Sequence, residues 1–217
     1  MGPTPVSAGF LLTSLAVVAL IEATMARLGT RLHLSGLWLI CTTRALQLAA
    51  VLSLAAFAFN QWQSLGLDKR ALTAGLKKGL IWSAGFAVFA GLLFAGLIFA
   101  GRNPFVLIRT PLPSTSLQQA LFFFVGGVLA PVTEEVVFRG LIFGYLRRWG
   151  VTAAVLISTA AFAALHLPAI PATQVVGGAV FAVAYHLEGS LMVPIVIHVL
   201  GNLAIFTLSL PIFSALW

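Results

Sequence analysis

The sequence predicts an all-α protein, a polytopic bundle of about seven transmembrane helices, with six to eight spans compatible with the pattern. Of its 217 residues, 60% are hydrophobic and 8% are charged, which is more apolar surface than a soluble domain of this size needs. Its apolar runs come near the ~20 residues that cross a bilayer. Charged residues inside the fourth run add a third observation, because they indicate an intramembrane polar cavity.

The apolar runs set the order of the predicted spans. They cover residues 8–28, 36–59, 80–100, 116–149, 151–167 and 173–187, and a seventh follows the turn at 188–190 and fades near Pro211. The fourth run exceeds the bilayer core, so its helix is expected to tilt, to kink at Pro131 or to protrude. Residues 101–114 contain three prolines and are predicted to form a loop.

We expect one structural unit in two parts. Residues 1–115 form the N-terminal helices, and residues 116–217 form a four-helix core that carries the candidate catalytic residues. Within the first part, residues 60–79 mix basic residues with leucines, which is typical of a helix or turn lying in the membrane interface. The glycines at 85, 91 and 96 are a weak signal of close helix contact.

The net charge of +7 reflects 12 lysines and arginines against 5 acidic residues. In a membrane protein this excess is typical of cytoplasmic loops that face anionic lipid, so we expect membrane lipids and no nucleic acid as partners. Basic residues number six in the connections after the second, fourth and sixth spans and four after the first and third. This asymmetry predicts a cytoplasmic N-terminus. The first run lacks the basic lead of a secretory signal and is expected to be retained.

Three charged residues lie inside the predicted fourth span, at Glu134, Glu135 and Arg139. An ionisable side chain at bilayer depth costs at least about 2.5 to 3.5 kcal/mol, so such residues usually face a protein interior and carry function. Glu135 and Arg139 are four residues apart and can form an ion pair on one helix face. Glu134 points about 100° away and is left available for other chemistry.

The other candidate site residues are His166, His198 and Asn202. Glu134 and His166 each lie 16 residues from Gly150, so both are expected about 24 Å from that turn on neighbouring antiparallel helices. His198 and Asn202 are four residues apart and share a helix face. A single histidine in a membrane helix is as often a structural hydrogen bonder between helices as a site residue. The coincidence of these residues nevertheless favours one shared site.

Other polar residues are interpreted as structural. Glu22 is expected at the interface near Arg27, and Arg44 is expected to extend its charge toward the same interface. His186 ends the sixth span beside Glu188, which favours a pair at the loop edge over a role in catalysis.

The candidate residues suit amide hydrolysis without a covalent intermediate. Glu134 can act as a general base toward water, and His166 can orient or deprotonate that water. His198 and Asn202 offer donors of the kind that stabilise an oxyanion. No serine or cysteine lies beside a base in a recognisable nucleophile arrangement, which disfavours acyl-enzyme chemistry.

A metal site is the rival interpretation. Glu134, His166 and His198 are plausible zinc ligands with one position left for water. The sequence lacks the His-Glu-x-x-His motif, so we favour metal-independent chemistry and expect no cofactor.

Three segments carry a resemblance to a known family: Glu134-Glu135-Val-Val-Phe-Arg139, Phe162-Ala-Ala-Leu-His166 and His198-Val-Leu-Gly-Asn202. In order and spacing they resemble the three motifs of the CAAX protease and bacteriocin-processing family, the type II CAAX prenyl endopeptidases and their bacterial relatives. The likeness covers about residues 116–206, and three spaced motifs are far more specific than one.

The resemblance implies an intramembrane, glutamic-type endopeptidase similar to CAAX prenyl protease 2. It implies that Glu134 activates water with help from His166, that His198 and Asn202 form the oxyanion site, and that the ion pair described above holds this geometry. The implied substrate is a membrane-associated protein or peptide, either CAAX-type or processed in bacteria. The compact chain favours a prokaryotic cell membrane. A non-enzymatic alternative stays open, in which the polar cavity binds a peptide or an ion, as in bacteriocin immunity or a scaffold.

Overall fold

The structure is a computed structural model that describes residues 4–34, 36–166 and 172–214. Its helices are α1 Ala8–Leu32, α2 Gly36–Ala58, α3 Lys69–Phe99, α4 Ser116–Trp149, α5 Val151–Ala164, α6 Ala172–Glu188, α7 Met192–Leu208 and the short α8 Pro211–Ser214. No strand occurs in these described ranges. The predicted all-α fold class is therefore confirmed.

Four helices in the described part of the chain are long and apolar enough to cross a membrane. They are α1, α2, the Leu72–Phe99 part of α3, and α4 with its 34 residues. Helices α5 and α7 are also apolar but have only 14 and 17 residues. The length of these helices supports an integral membrane protein, and the count of about seven spans stays a prediction.

Turns that are distant in sequence meet at one end of the bundle. The Val6 amide donates to the Gly144 carbonyl at 3.1 Å, which joins the N-terminal segment to the end of α4. The Leu191 amide donates to the Gly66 carbonyl at 3.2 Å, which joins the α6–α7 turn to the α2–α3 connection. Gly66 has φ +70°, and a Cβ there would meet the backbone of the α6–α7 turn at 2.8 Å. This close approach requires glycine.

The α3–α4 loop lies at the other end of the bundle. Its Thr110 amide donates to Ser209 Oγ, just after α7, at 3.1 Å. The predicted proline-rich loop forms here, with only one turn of 3₁₀-helix at Pro104–Leu107. The α2–α3 connection and the α3–α4 loop thus lie at opposite ends of the bundle.

The helix or turn expected over residues 60–79 is helical from Lys69, where α3 begins, and α3 continues without a break into the expected third span. This first part of α3 packs closely on α7 and on the turn before it. A Cβ on Gly75 would meet Ser190 Oγ at 2.2 Å, and one on Gly79 would meet the Val196 side chain at 2.7 Å. The glycines at 85, 91 and 96 have nothing within 4 Å of such a Cβ. The interpretation of these three as close-contact glycines is therefore wrong, and the close approach occurs two turns earlier.

Replacing Gly79 by valine is expected to destabilise the fold by about 1 to 3 kcal/mol, because the added methyls have no space between α3 and α7. The same replacement at Gly85 is the matched control, since open space surrounds that position. Thermal unfolding in detergent measures both variants. Equal unfolding temperatures would contradict the α3–α7 packing.

Candidate active site

Helix α4 is not a regular α-helix. Two π-helical segments, Val125–Leu129 and Val136–Phe143, flank the α-helical residues Ala130–Glu135. A π-turn adds a residue to the turn and changes which side chains face a partner helix, and such turns are frequent at functional sites. The sequence indicated only a kink at Pro131, so this irregularity was missed.

Pro131 explains how α4 receives Asn202. The Ala130 amide bonds to the carbonyl of Val125, five residues back. The next bond in that register would run from residue 131 to the Gly126 carbonyl, but proline has no N–H. The Asn202 amide Nδ2 donates to Gly126 O at 2.9 Å instead. This bond uses one of the two N–H groups of the Asn202 amide.

Replacing Pro131 by alanine is expected to lower cleavage by about tenfold or more while leaving stability nearly unchanged. An N–H at position 131 can bond the Gly126 carbonyl and release Asn202 from its fixed orientation. The loss of cleavage should not exceed the 10²- to 10³-fold cost of removing an oxyanion donor altogether. Cleavage rates and the unfolding temperature of this variant check the prediction, and wild-type rates would contradict it.

The predicted pair of Glu135 and Arg139 is present and fully buried. Arg139 Nη1 donates to Glu135 Oε1 at 2.9 Å, and both side chains are 0% exposed. Arg139 Nη2 donates to the Gly178 carbonyl of α6 at 3.0 Å. The guanidinium also lies 4.8 Å from the centre of the Phe162 ring and 5.2 Å from that of Phe181. The ion pair therefore ties α4 to α5 and α6.

His198 of α7 bridges the two glutamates. Its Nδ1 lies 2.8 Å from Glu135 Oε1, and its Nε2 lies 3.8 Å from Glu134 Oε2. The imidazole stacks on the Phe181 ring, with centroids 4.6 Å apart. Because an ionised carboxylate only accepts hydrogen bonds, Nδ1 carries a proton when Glu135 is ionised. Nε2 then donates only when the ring is an imidazolium.

Glu134 is the accessible carboxylate of the site. Its side chain is 22% exposed, whereas that of Glu135 is 0% exposed. The gap of 3.8 Å to His198 is too long for a direct hydrogen bond and has the length at which a water can bridge. His166 and Arg44 also act electrostatically on this carboxylate. Sequence reasoning did not place Arg44 here.

His166 lies just beyond the last turn of α5 rather than inside that helix. Helix α5 ends at Ala164, and His166 Nδ1 is 2.9 Å from the Phe162 carbonyl oxygen. The ring also packs on Phe162, with centroids 4.8 Å apart. The backbone carbonyl occupies Nδ1, so Nε2 is the nitrogen that remains for chemistry. The predicted span continued to residue 167, which lies outside the described residues.

The glutamates outside the site have partners that the sequence did not indicate. Glu22 pairs with Arg44 Nη1 at 3.1 Å. The predicted pair of His186 with Glu188 is wrong. Glu188 binds α3, where Lys78 Nζ lies at 2.6 Å and Trp82 Nε1 at 3.0 Å.

Glu188 follows the predicted sixth span, and its pKa is lowered by the hydrogen bonds from Lys78 and then Trp82. The stabilisation from this carboxylate is therefore present at neutral pH. It is lost as the pH falls through the folded-state pKa.

The described residues do not form a metal centre. In residues 4–34, 36–166 and 172–214, no group of three His, Cys, Asp or Glu side chains is placed to hold a metal ion. Glu134, His166 and His198, the set considered as zinc ligands, are therefore not placed together as a three-ligand site.

Neither a curated protein nor a solved structure matches the chain. Residues 116–204 match the family model described as type II CAAX prenyl endopeptidase Rce1-like. The matched region contains all three sequence motifs, and the family and the apolar helices together indicate a protease in a membrane. This match confirms, over residues 116–204, the resemblance carried by the motifs.

Proposed function

We propose that the chain is an intramembrane endopeptidase that hydrolyses peptide bonds with water activated by Glu134. One observation carries the proposal, which is the difference between two adjacent glutamates. Glu135 is enclosed and bonded to Arg139 and His198, whereas Glu134 stays 22% exposed beside His198 Nε2. Glu135 is therefore suited to stabilise the geometry of the site, and Glu134 is suited to contact water.

The proposed reaction proceeds by direct addition of water. His166 orients a water molecule, and Glu134 accepts a proton from it. The oxygen of that water bonds to the scissile carbonyl carbon in the same step. The imidazolium form of His198, through its Nε2–H, and the second Asn202 N–H stabilise the oxyanion. The C–N bond then breaks as the leaving nitrogen takes the proton back from Glu134. Glu135 and Arg139 act as the structural support of this site.

The proposed substrate is a membrane-associated protein or peptide, either of CAAX type or from bacterial peptide processing. The proposed location is a prokaryotic cell membrane with a cytoplasmic N-terminus. The N-terminal segment and the Arg147 end of α4 lie together, because Arg147 donates to the Thr4 carbonyl. This juxtaposition supports placing the two segments on the same side of the membrane, and the charge asymmetry assigns that side to the cytosol.

A reporter fused after Trp217 is expected on the outer side of the membrane.

Cleavage of a peptide library by the purified chain in liposomes tests the proposal, with mass spectrometry of the products and with and without a chelator. Internal cleavage that survives the chelator supports a metal-independent endopeptidase. Activity lost to chelator and restored by zinc would replace the mechanism above. Absence of cleavage across the library would favour the non-enzymatic binding protein.

A further inference from the structure

A second polar cluster lies between α1 and α2. Arg44 Nη1 lies 3.1 Å from Glu22 Oε2 and donates to Gln47 Oε1 at 2.7 Å. Gln47 Nε2 completes the triangle by donating to Glu22 Oε2 at 2.8 Å and also contacts the Val18 carbonyl at 3.2 Å. Gln47 is 1% exposed, so a buried amide fixes the orientation of the Arg44 guanidinium.

This cluster adjoins the catalytic glutamate. Thr133 Oγ1 donates to the Arg44 carbonyl at 3.3 Å, which places α2 against the residue preceding Glu134. Arg139 is enclosed on the same helix as Glu134, whereas the Arg44 side chain remains 31% exposed. Arg44 is therefore an accessible cation on the helix that packs against Thr133, the neighbour of Glu134.

An open groove of about 80 Å³ gives access to this cation. It is lined by Glu22, Ala26, Leu39, Ile40, Thr43 and Arg44. A single water needs about 10 to 15 Å³ of such volume, so the groove has space for a carboxylate group. The Glu22 carboxylate is 55% exposed, and exposed ion pairs of this kind are weak and easily exchanged. A guanidinium presents five N–H donors, and both bonds described above use Nη1.

We propose that Arg44 is a specificity-determining residue that binds a carboxylate of the peptide substrate near the scissile bond. Glu22 pairs with the Arg44 guanidinium in the free protein, and the substrate carboxylate displaces it. The substrate class is then a peptide with an anionic group within a few residues of the cleaved bond, supplied by its C-terminus or by an aspartate or glutamate. The inference rests on the proposed endopeptidase function.

Matched peptides test this specificity. The two peptides of the first pair share a cleavable sequence without acidic residues, and one ends in a free carboxylate whereas the other ends in an amide. The two peptides of the second pair both end in an amide, and one carries Glu near the cleaved bond where the other carries Gln. The wild type is expected to show a KM about tenfold to a hundredfold lower for the carboxylate member of one pair, as expected for charge-assisted hydrogen bonds. The pair that shows the preference identifies the source of the carboxylate.

Variants assign that preference to Arg44. In Arg44→Gln the ratio of the two KM values is expected to fall to about one, and Arg44→Lys should retain part of it because it keeps the charge but loses the planar fork. Glu22→Gln should increase the ratio, since the competing carboxylate is removed. Arg27→Gln, a change at an exposed arginine of α1, should leave it unchanged. No preference in the wild type, or an undiminished preference in Arg44→Gln, would overturn the proposal.

Binding separates this inference from the proposed function. Fluorescence anisotropy of the same labelled peptides on the wild-type protein should show tighter binding of the carboxylate member even if no peptide is cleaved. Absence of cleavage with preserved, Arg44-dependent binding would refute the endopeptidase and retain the carboxylate site. Cleavage without any carboxylate preference would retain the endopeptidase and refute the carboxylate site.

Discussion

Replacing Glu134 by glutamine is expected to lower kcat/KM by about 10²- to 10⁴-fold, the usual contribution of a general base. Glutamine keeps the size of the side chain and removes its ability to accept the proton of water. The 22% exposed carboxylate does not belong to the enclosed ion pair, so the variant should fold normally. Initial rates on a peptide identified from the library measure the effect.

Glu188→Gln is the matched control for that variant. It makes the same isosteric change at a glutamate that binds Lys78 and Trp82, remote from the proposed chemistry. We expect wild-type cleavage from this control, although the loss of its bonds to Lys78 and Trp82 should lower its unfolding temperature slightly. Cleavage by Glu134→Gln at the rate of the control would remove the base from the proposed mechanism.

Replacing Arg139 by alanine is expected to lower the free energy of unfolding by about 3 to 5 kcal/mol, because it leaves the buried Glu135 charge without its partner. The loss also removes the bond to the Gly178 carbonyl and the contacts with two aromatic rings. Thermal unfolding in detergent and the yield of folded protein measure this effect. Activity should fall as well, since His198 is oriented by Glu135.

The double variant Glu135→Leu/Arg139→Met separates charge from packing. A buried ion pair replaced by apolar residues of similar volume is often neutral or stabilising, so the double variant should recover most of the lost stability. It should remain poorly active because His198 Nδ1 has lost its carboxylate. Normal yield and stability of the single Arg139→Ala variant would contradict the structural role of the pair.

Local spacing made part of the site predictable. Residues four apart on a helix are neighbours, so the Glu135–Arg139 ion pair follows from the sequence without knowledge of the fold. The separation of Glu134 from that pair follows from the same periodicity. Membrane depth added a reason to expect function at these charges.

Features that depend on packing between distant segments were not predictable. The π-helical segment Val125–Leu129 lies where Pro131 lacks an N–H and Asn202 of α7 bonds the Gly126 carbonyl. The partner of Arg44 is Glu22, on another helix, and neither spacing nor hydropathy identifies such a pair. The close contact between Gly79 and α7 is likewise a feature that hydropathy does not report.

The roles given to the two glutamates are tested most directly by chemical rescue. Alanine at position 134 removes the base and leaves space for a small carboxylate, so added formate should restore cleavage by Glu134→Ala in a saturable manner. Formate should not raise cleavage by the wild type or by Glu135→Ala, whose defect is structural. Cleavage by Glu134→Ala at the wild-type rate without formate, or rescue of Glu135→Ala alone, would show that Glu134 is not the residue that activates water.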